Sequence, residues 1–217
     1  MLNYGKHDVD DEDIKAVVEV LKSDFLTQGP KKPIFENQVA SLVGANFCLA
    51  VNSATSALHI ACLALDIGPG DLVWTSPISF VASANCALYC GAHVDFVDID
   101  LRTNNICMQS LAEKLEAGEA TGKLPKAVIP VHLAGNPVDM YRLKELARKY
   151  EFKIIEDASH ALGAKHRGKY IGCGDFSDIT VFSFHPVKMI TTGEGGAVTT
   201  NNYDLYYKML MLSSHGI

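Results

Sequence analysis

Apolar positions in the first part of the chain recur at helical spacing and then give way to strand-like runs. Ile14, Val17, Val18 and Leu21 lie three and four apart behind the acidic run Asp10 to Asp13, and carboxylates there complement the partial positive charge of a helix start. An amphipathic helix is predicted. A second helical pattern, Phe35, Val39 and Leu42, ends near Gly44, a residue type that readily takes the left-handed conformation with which helices close. From Phe47 onward short apolar runs alternate with helical segments. Strands are predicted at Phe47 to Val51, Leu72 to Thr75, His93 to Ile99, Ala127 to Val131, Lys153 to Glu156, Ile179 to Phe184 and Ala197 to Thr200. Helices are predicted at Ser53 to Leu65, Ser79 to Tyr89 and Met140 to Tyr150. Glu116 to Pro125 reads as the most loop-like insertion, and there is no internal repeat. Such alternation predicts an α/β fold, a mostly parallel sheet flanked by helices, with ligands gathering at the C-terminal strand ends.

Composition narrows the function. A length of 217 residues suits one large domain, and 48% hydrophobic with 20% charged residues belongs to the globular class. The net charge of −6 and the scatter of the 19 Lys and Arg residues argue against nucleic acid as a partner. No apolar stretch is long enough to span a bilayer, and the start Met1-Leu2-Asn3-Tyr4-Gly5-Lys6-His7 lacks a leader's apolar segment, so a cytoplasmic protein with no membrane partner is expected. Six cysteines, none in a CxxC pair, read as reduced core residues. Cys86 and Cys90 share a helix face but lack a nearby His at ligand spacing, so no metal site is expected.

Three stretches carry candidate chemistry. Asn52-Ser53-Ala54-Thr55-Ser56-Ala57-Leu58 lies where a strand gives way to a helix; it is either an ordinary cap or a phosphate cradle of helix-start amides and hydroxyls. Glu156-Asp157-Ala158-Ser159-His160 puts Asp157 at a strand end, where a carboxylate is either a loop cap or a ligand group. Phe182 to Gly196 runs from a strand through a polar turn. In it Lys188 is flanked by Val187, Met189 and Ile190, and a desolvated amine shifts toward its neutral, nucleophilic form.

Taken together, Asn-Ser-Ala-Thr-Ser-Ala-Leu (52 to 58), Ser-Pro-Ile-Ser-Phe-Val-Ala-Ser-Ala-Asn (76 to 85), Glu-Asp-Ala-Ser-His-Ala-Leu-Gly-Ala (156 to 164) and Phe-Ser-Phe-His-Pro-Val-Lys-Met-Ile-Thr-Thr-Gly-Glu-Gly-Gly (182 to 196) strongly resemble the DegT/DnrJ/EryC1/StrS sugar aminotransferases. The resemblance implies a fold type I, aspartate aminotransferase-like large domain that binds pyridoxal 5′-phosphate (PLP). Residues 1–45 would form an N-terminal helical segment and 46–217 the PLP-binding large domain. Members of the family continue into a small C-terminal domain beyond the point where this chain stops, so the resemblance implies a truncated chain lacking it. By matching position, Lys188 resembles the Schiff-base lysine and Asp157 the carboxylate that pairs with the pyridine nitrogen. Thr55, the amide of Ala54, and Ser183 resemble phosphate ligands. Phe80 resembles the residue stacked on one ring face, and His160 the one against the other face or near the ring hydroxyl.

The implied reaction transfers an amino group, with glutamate as donor, to a nucleotide-linked 4-keto-6-deoxy sugar, and the implied assembly is a homodimer. Thr27-Gln28-Gly29 and the blocks at 52 to 58 and 184 to 196 look closest to the branch that aminates C4 of UDP-linked N-acetylhexosamines in the pseudaminic acid pathway. Perosamine-type and aminoarabinose-type sugars are the alternatives. A nicotinamide dehydrogenase shares the α/β alternation, but its Gly-x-Gly-x-x-Gly turn is missing: Gly172-Cys173-Gly174-Asp175-Phe176-Ser177 ends in Ser and does not follow the first strand. An inactive PLP-binding module is the second rival, against which the retention of Lys188, Asp157 and Ser183 argues.

Overall fold

A computed structural model describes residues 6–216; Met1 to Gly5, part of the start read above for a leader, and Ile217 lie outside the described residues. Two helices come first, α1 (Asp11–Leu21) and α2 (Lys31–Val43). Asp10 caps α1 by accepting from the N–H groups of Glu12 and Asp13, while Asp13 reaches back to the Asp10 N–H. The predicted apolar stripe is present, but Ile14, Val17 and Leu21 are 54%, 60% and 64% exposed. Helix α2 ends at Gly44 in the left-handed conformation, as its pattern implies, and buries Val39, Ala40 and Val43.

The remaining elements are β1 (Phe47–Val51), α3 (Ala54–Ala64), β2 (Leu72–Thr75), α4 (Ala82–Tyr89), β3 (His93–Phe96), α5 (Met108–Thr121), β4 (Ala127–Ile129), α6 (Met140–Tyr150), β5 (Lys153–Asp157), β6 (Lys165–His166), β7 (Lys169–Tyr170), β8 (Ile179–Ser183), β9 (Gly196–Thr200) and α7 (Tyr203–Leu212). Seven strands form one sheet in the order β1-β9-β8-β5-β4-β2-β3, and β6 and β7 form a separate small hairpin. From β8 to β3 the pairings are parallel, whereas β9 runs antiparallel to both β8 and β1. The predicted mostly parallel α/β sheet is therefore present, with a reversed strand near one edge.

Strand alternation divides the core in two. Ile155, Val181, Leu49 and Val198 join α3, α4 and α7 on one face. Ile154, Val128 and Phe182 join α2, α5 and α6 on the other. The same alternation sends Asp157 and Ser183, each two residues beyond Ile155 and Val181, to the α3–α4 face. Glu156 goes to the opposite face, where its carboxylate meets His132 Nε2 at 2.9 Å and accepts from Thr180 and Ser177.

Several expectations need correction. Most of the supposed loop Glu116 to Pro125 is the second half of α5, whose buried positions Leu111, Leu115 and Gly118 keep helical spacing. Gly118 is there for contact rather than flexibility, since a Cβ would lie 2.9 Å from the Lys123 carbonyl oxygen; the helix ends at Gly122, in the left-handed region at φ 67°. The helix expected from Ser79 starts at Ala82, because Ser76 to Val81 form turns. Strand β3 ends at Phe96, leaving Ile99 in a single bridge to Ile106, and β4 ends at Ile129, leaving Val131 bridged to Asp157. Helix α7 and the β6–β7 hairpin had no counterpart in the sequence reading.

Candidate active site

The C-terminal ends of β5 and β8 and the N-terminus of α3 open on one cavity of about 590 Å³. It is lined by all seven residues singled out from the sequence: Ala54, Thr55, Phe80, Asp157, His160, Ser183 and Lys188. Ser79, Ser159, His185 and Glu194, to which the sequence reading gave no role, line it as well, as does Ser53 from the 52–58 stretch.

Asp157 ends β5 and is 4% exposed. Its Oδ2 accepts from the Ser83 hydroxyl at 2.6 Å and its Oδ1 from the Ser159 N–H at 3.1 Å. A buried carboxylate so held keeps its remaining lone pairs for a cationic or protonated partner in the cavity.

On the β8–β9 side, the cap reading of Ser53 holds: its Oγ accepts from the Ser56 N–H at 3.1 Å. That leaves the N–H groups of Ala54 and Thr55 in the first helical turn, where an α-helix has no acceptor of its own, in the wall of the cavity. Ser183, 7% exposed, ends β8 nearby. Gly196 lets β9 pass close to the α3 start, since a Cβ there would lie 2.4 Å from the Ser53 carbonyl carbon and 2.6 Å from the Ala54 nitrogen.

Lys188 lies on the loop between β8 and β9. The loop is tied at its base by the Phe184 N–H to the Gly195 carbonyl (2.9 Å) and by the Thr192 N–H to the Phe184 carbonyl (3.1 Å). Burial pushes the Lys188 amine below the usual lysine range, partly opposed by the Asp157 carboxylate. Of its apolar neighbours in sequence, Val187 lines the cavity with it, while Met189 and Ile190, 50% and 53% exposed, do not.

His160 follows β5 and accepts at Nδ1 from the Ala134 N–H at 3.3 Å, which leaves Nε2 to carry the proton of the neutral ring. Burial, and then the nearby Lys188 charge, push its pKa down, against the pull of Asp157. Ala134 itself sits at φ 52° in the tight turn Leu133–Gly135, which Asn105 clamps through the Leu133 N–H and the Asn136 carbonyl. Phe80, 70% exposed, stands at the cavity mouth.

Chemically, the cavity offers the free N–H groups of a helix start, a buried carboxylate and an amine of lowered basicity. Among the described residues no group of three or more His, Cys, Asp or Glu side chains is arranged to hold a metal ion, and no helix is long and apolar enough to cross a membrane. Gly172 and Gly174 precede β8 rather than linking a first strand to a helix, so the dinucleotide-type turn is not formed there.

Comparison with known proteins gives the same outline. Residues 7–217 match the DegT/DnrJ/EryC1/StrS aminotransferase family. The chain is 42% identical over 217 residues to the UDP-4-amino-4,6-dideoxy-N-acetyl-beta-L-altrosamine transaminase of Campylobacter jejuni, covering all of this chain and 56% of that protein. It is 41% identical over 216 residues to the spore coat polysaccharide biosynthesis protein SpsC of Bacillus subtilis, covering 54% of it. Helicobacter pylori PseC, an aminotransferase involved in the biosynthesis of pseudoaminic acid, superposes with a TM-score of 0.90 at 38% identity, over 99% of this chain and 56% of PseC. The chain thus spans little more than half the length of these relatives.

Proposed function

Because the chain belongs to the DegT/DnrJ/EryC1/StrS aminotransferase family, we propose that its cavity holds pyridoxal 5′-phosphate and serves the transfer of an amino group from glutamate to the C4 carbonyl of a UDP-linked 4-keto-6-deoxy sugar. The observation that carries this reading is the meeting of Lys188, Asp157, Ser183 and the α3 N-terminus in one cavity. The donor set fits the cofactor. A phosphate takes the N–H groups of Ala54 and Thr55 with the hydroxyls of Thr55 and Ser183, and a pyridine nitrogen takes the buried Asp157 carboxylate.

When bound, this cofactor supplies an aldehyde and an electron-withdrawing ring, the chemistry that lets an amino group leave one molecule and join another. The rest falls to the chain. Lys188, with its lowered basicity, would join the cofactor's aldehyde through its neutral amine with loss of water and, when free of it, would move a proton as a general base. Asp157, buried at the end of β5, would hold a proton at the ring nitrogen by a charge-assisted hydrogen bond. Ala54, Thr55 and Ser183 would hold the cofactor through its phosphate independently of Lys188. His160, whose Nδ1 is engaged by the Ala134 N–H, would have its Nε2 proton to offer as a donor.

The names of the relatives favour a UDP-linked 4-keto-6-deoxy-N-acetylhexosamine as acceptor and surface-glycan synthesis as the setting. A second copy of the chain is the proposed partner, in keeping with the uncovered apolar side chains of α1 and of Leu88 and Tyr89 on α4. The six unpaired thiols suit a cytoplasmic location. The test is to incubate the protein with PLP, glutamate and UDP-4-keto-sugars and to look for the 4-amino sugar. Lys188 as the site of borohydride-fixed cofactor supports the reading; another lysine, or no fixation, rejects it.

A further inference from the structure

Asp157 is presented to the cavity by β5, yet one of its oxygens is engaged from behind. Ser83 on α4 is fully buried and does not line the cavity, and its hydroxyl donates to Asp157 Oδ2 at 2.6 Å. That is the length of a charge-assisted bond, in surroundings where water does not dilute it. Ser83 lies in the first turn of α4, where no preceding helical turn offers its hydroxyl a carbonyl. Ser83 instead donates across to a different element, 74 positions along the chain. With the Ser159 N–H on Oδ1, two donors from separate segments fix the plane of the carboxylate. The other titratable groups acting on Asp157 are Lys188, from the β8–β9 loop, and His160, from the turn after β5.

We infer that Ser83 is a positioning residue for the reaction: it sets the direction and the hydrogen-bonding capacity that Asp157 offers to the ring nitrogen of the cofactor. The inference rests on the reading of the cavity as a PLP site. Without the Ser83 hydroxyl, Oδ2 lacks a donor and draws harder on the proton shared with the ring nitrogen. The ring then withdraws electrons less strongly, and the nitrogen that joins Lys188 to the cofactor becomes more basic.

The experiment loads wild type, Ser83→Ala and Ser83→Thr with PLP and follows the visible absorbance of the lysine-bound cofactor across pH. Ser83→Ala is expected to move the titration midpoint upward by roughly half a pH unit or more, and Ser83→Thr, which keeps the hydroxyl, to restore it. A wild-type midpoint in Ser83→Ala overturns the inference, even if that variant melts earlier, because a purely structural serine would lower stability without moving the titration. If Ser83→Ala does not fold, Ser83→Cys takes its place: the thiol is a weaker donor, so a smaller upward shift is expected and no shift overturns the inference. Wild-type protein that acquires no such absorbance rejects the cofactor reading and the Ser83 role with it; an unshifted variant beside an absorbing wild type rejects the Ser83 role alone.

Discussion

Gly196 and Ser53 touch backbone to backbone: a Cβ built on Gly196 would stand 2.5 Å from the Ser53 carbonyl oxygen. The contact holds the last strand of the sheet against the start of α3, the point at which the phosphate is proposed to bind. Neither backbone can yield cheaply. Gly196→Ala is expected to cost about 1–3 kcal/mol of stability, the usual range for overpacking, and to weaken PLP binding by moving the Ala54 and Thr55 amides. Chemical denaturation and cofactor titration check both effects; an unchanged affinity would show that α3 does not hold the phosphate.

Lys188→Ala should leave the fold intact and abolish covalent capture of PLP, since only a primary amine there can bond to the cofactor aldehyde. In wild type, capture should accelerate with pH as the amine loses its proton. Because burial lowers its basicity, the rise should level off below the pH expected of an exposed lysine. Rates of borohydride-trapped incorporation across pH, with peptide mapping, test both statements.

Asp157→Asn should retain the cofactor but reduce turnover by roughly a hundredfold or more, the scale on which a preorganised electrostatic contact acts in catalysis. An amide cannot hold the ring proton as a carboxylate does. Thr55→Val and Ser183→Ala should behave in the opposite sense, each weakening PLP affinity by about 1–2 kcal/mol through loss of a hydrogen bond to a charged group. Affinity and steady-state rate measured on all three variants separate the two roles.

His160 supplies a pH signature. Its pKa is lowered on folding from the ordinary 6.5, so the unfolded chain takes up a proton before the folded one does. The stability this group contributes is therefore present above that ordinary value and is lost as pH falls through it toward the folded value. Protonation of Nδ1 would also displace the Ala134 N–H. His160→Gln, which does not titrate, should show a smaller loss of stability between about pH 7 and pH 5. Urea midpoints at the two pH values decide it, and an equal loss in both proteins would remove His160 as a source.

The strands were legible because a sheet covered on both faces demands nearly continuous apolar runs, and Ile179 to Phe184 and Ala127 to Ile129 have that character. Helix α5 was not foreseen, because its narrow buried stripe carries Gly118 amid exposed charges, and glycine reads as a breaker until its close contact with Lys123 is seen. Helix α7 was missed because Leu205, Tyr206, Met209 and Leu210 pack on the core at helical spacing, but the exposed Tyr203, Tyr207 and Leu212 blur that stripe in the sequence. At the site, Lys188, Asp157, Ser183 and Thr55 stood out in local motifs. Ser83 did not, because its partner lies on another element and only the folded chain brings the two together.

The pairing of β1 with β9, Phe47 opposite Thr200, also has a bearing on folding order. Closing so long a loop is entropically costly, and such contacts form late. During synthesis, β1 and α3 emerge from the ribosome well before the strand that completes their side of the cavity. Nascent chains halted before Gly196 should therefore already contain the Asp157 end of the cavity while lacking the finished phosphate cradle, so cofactor capture becomes one of the final events of folding rather than a nucleus for it.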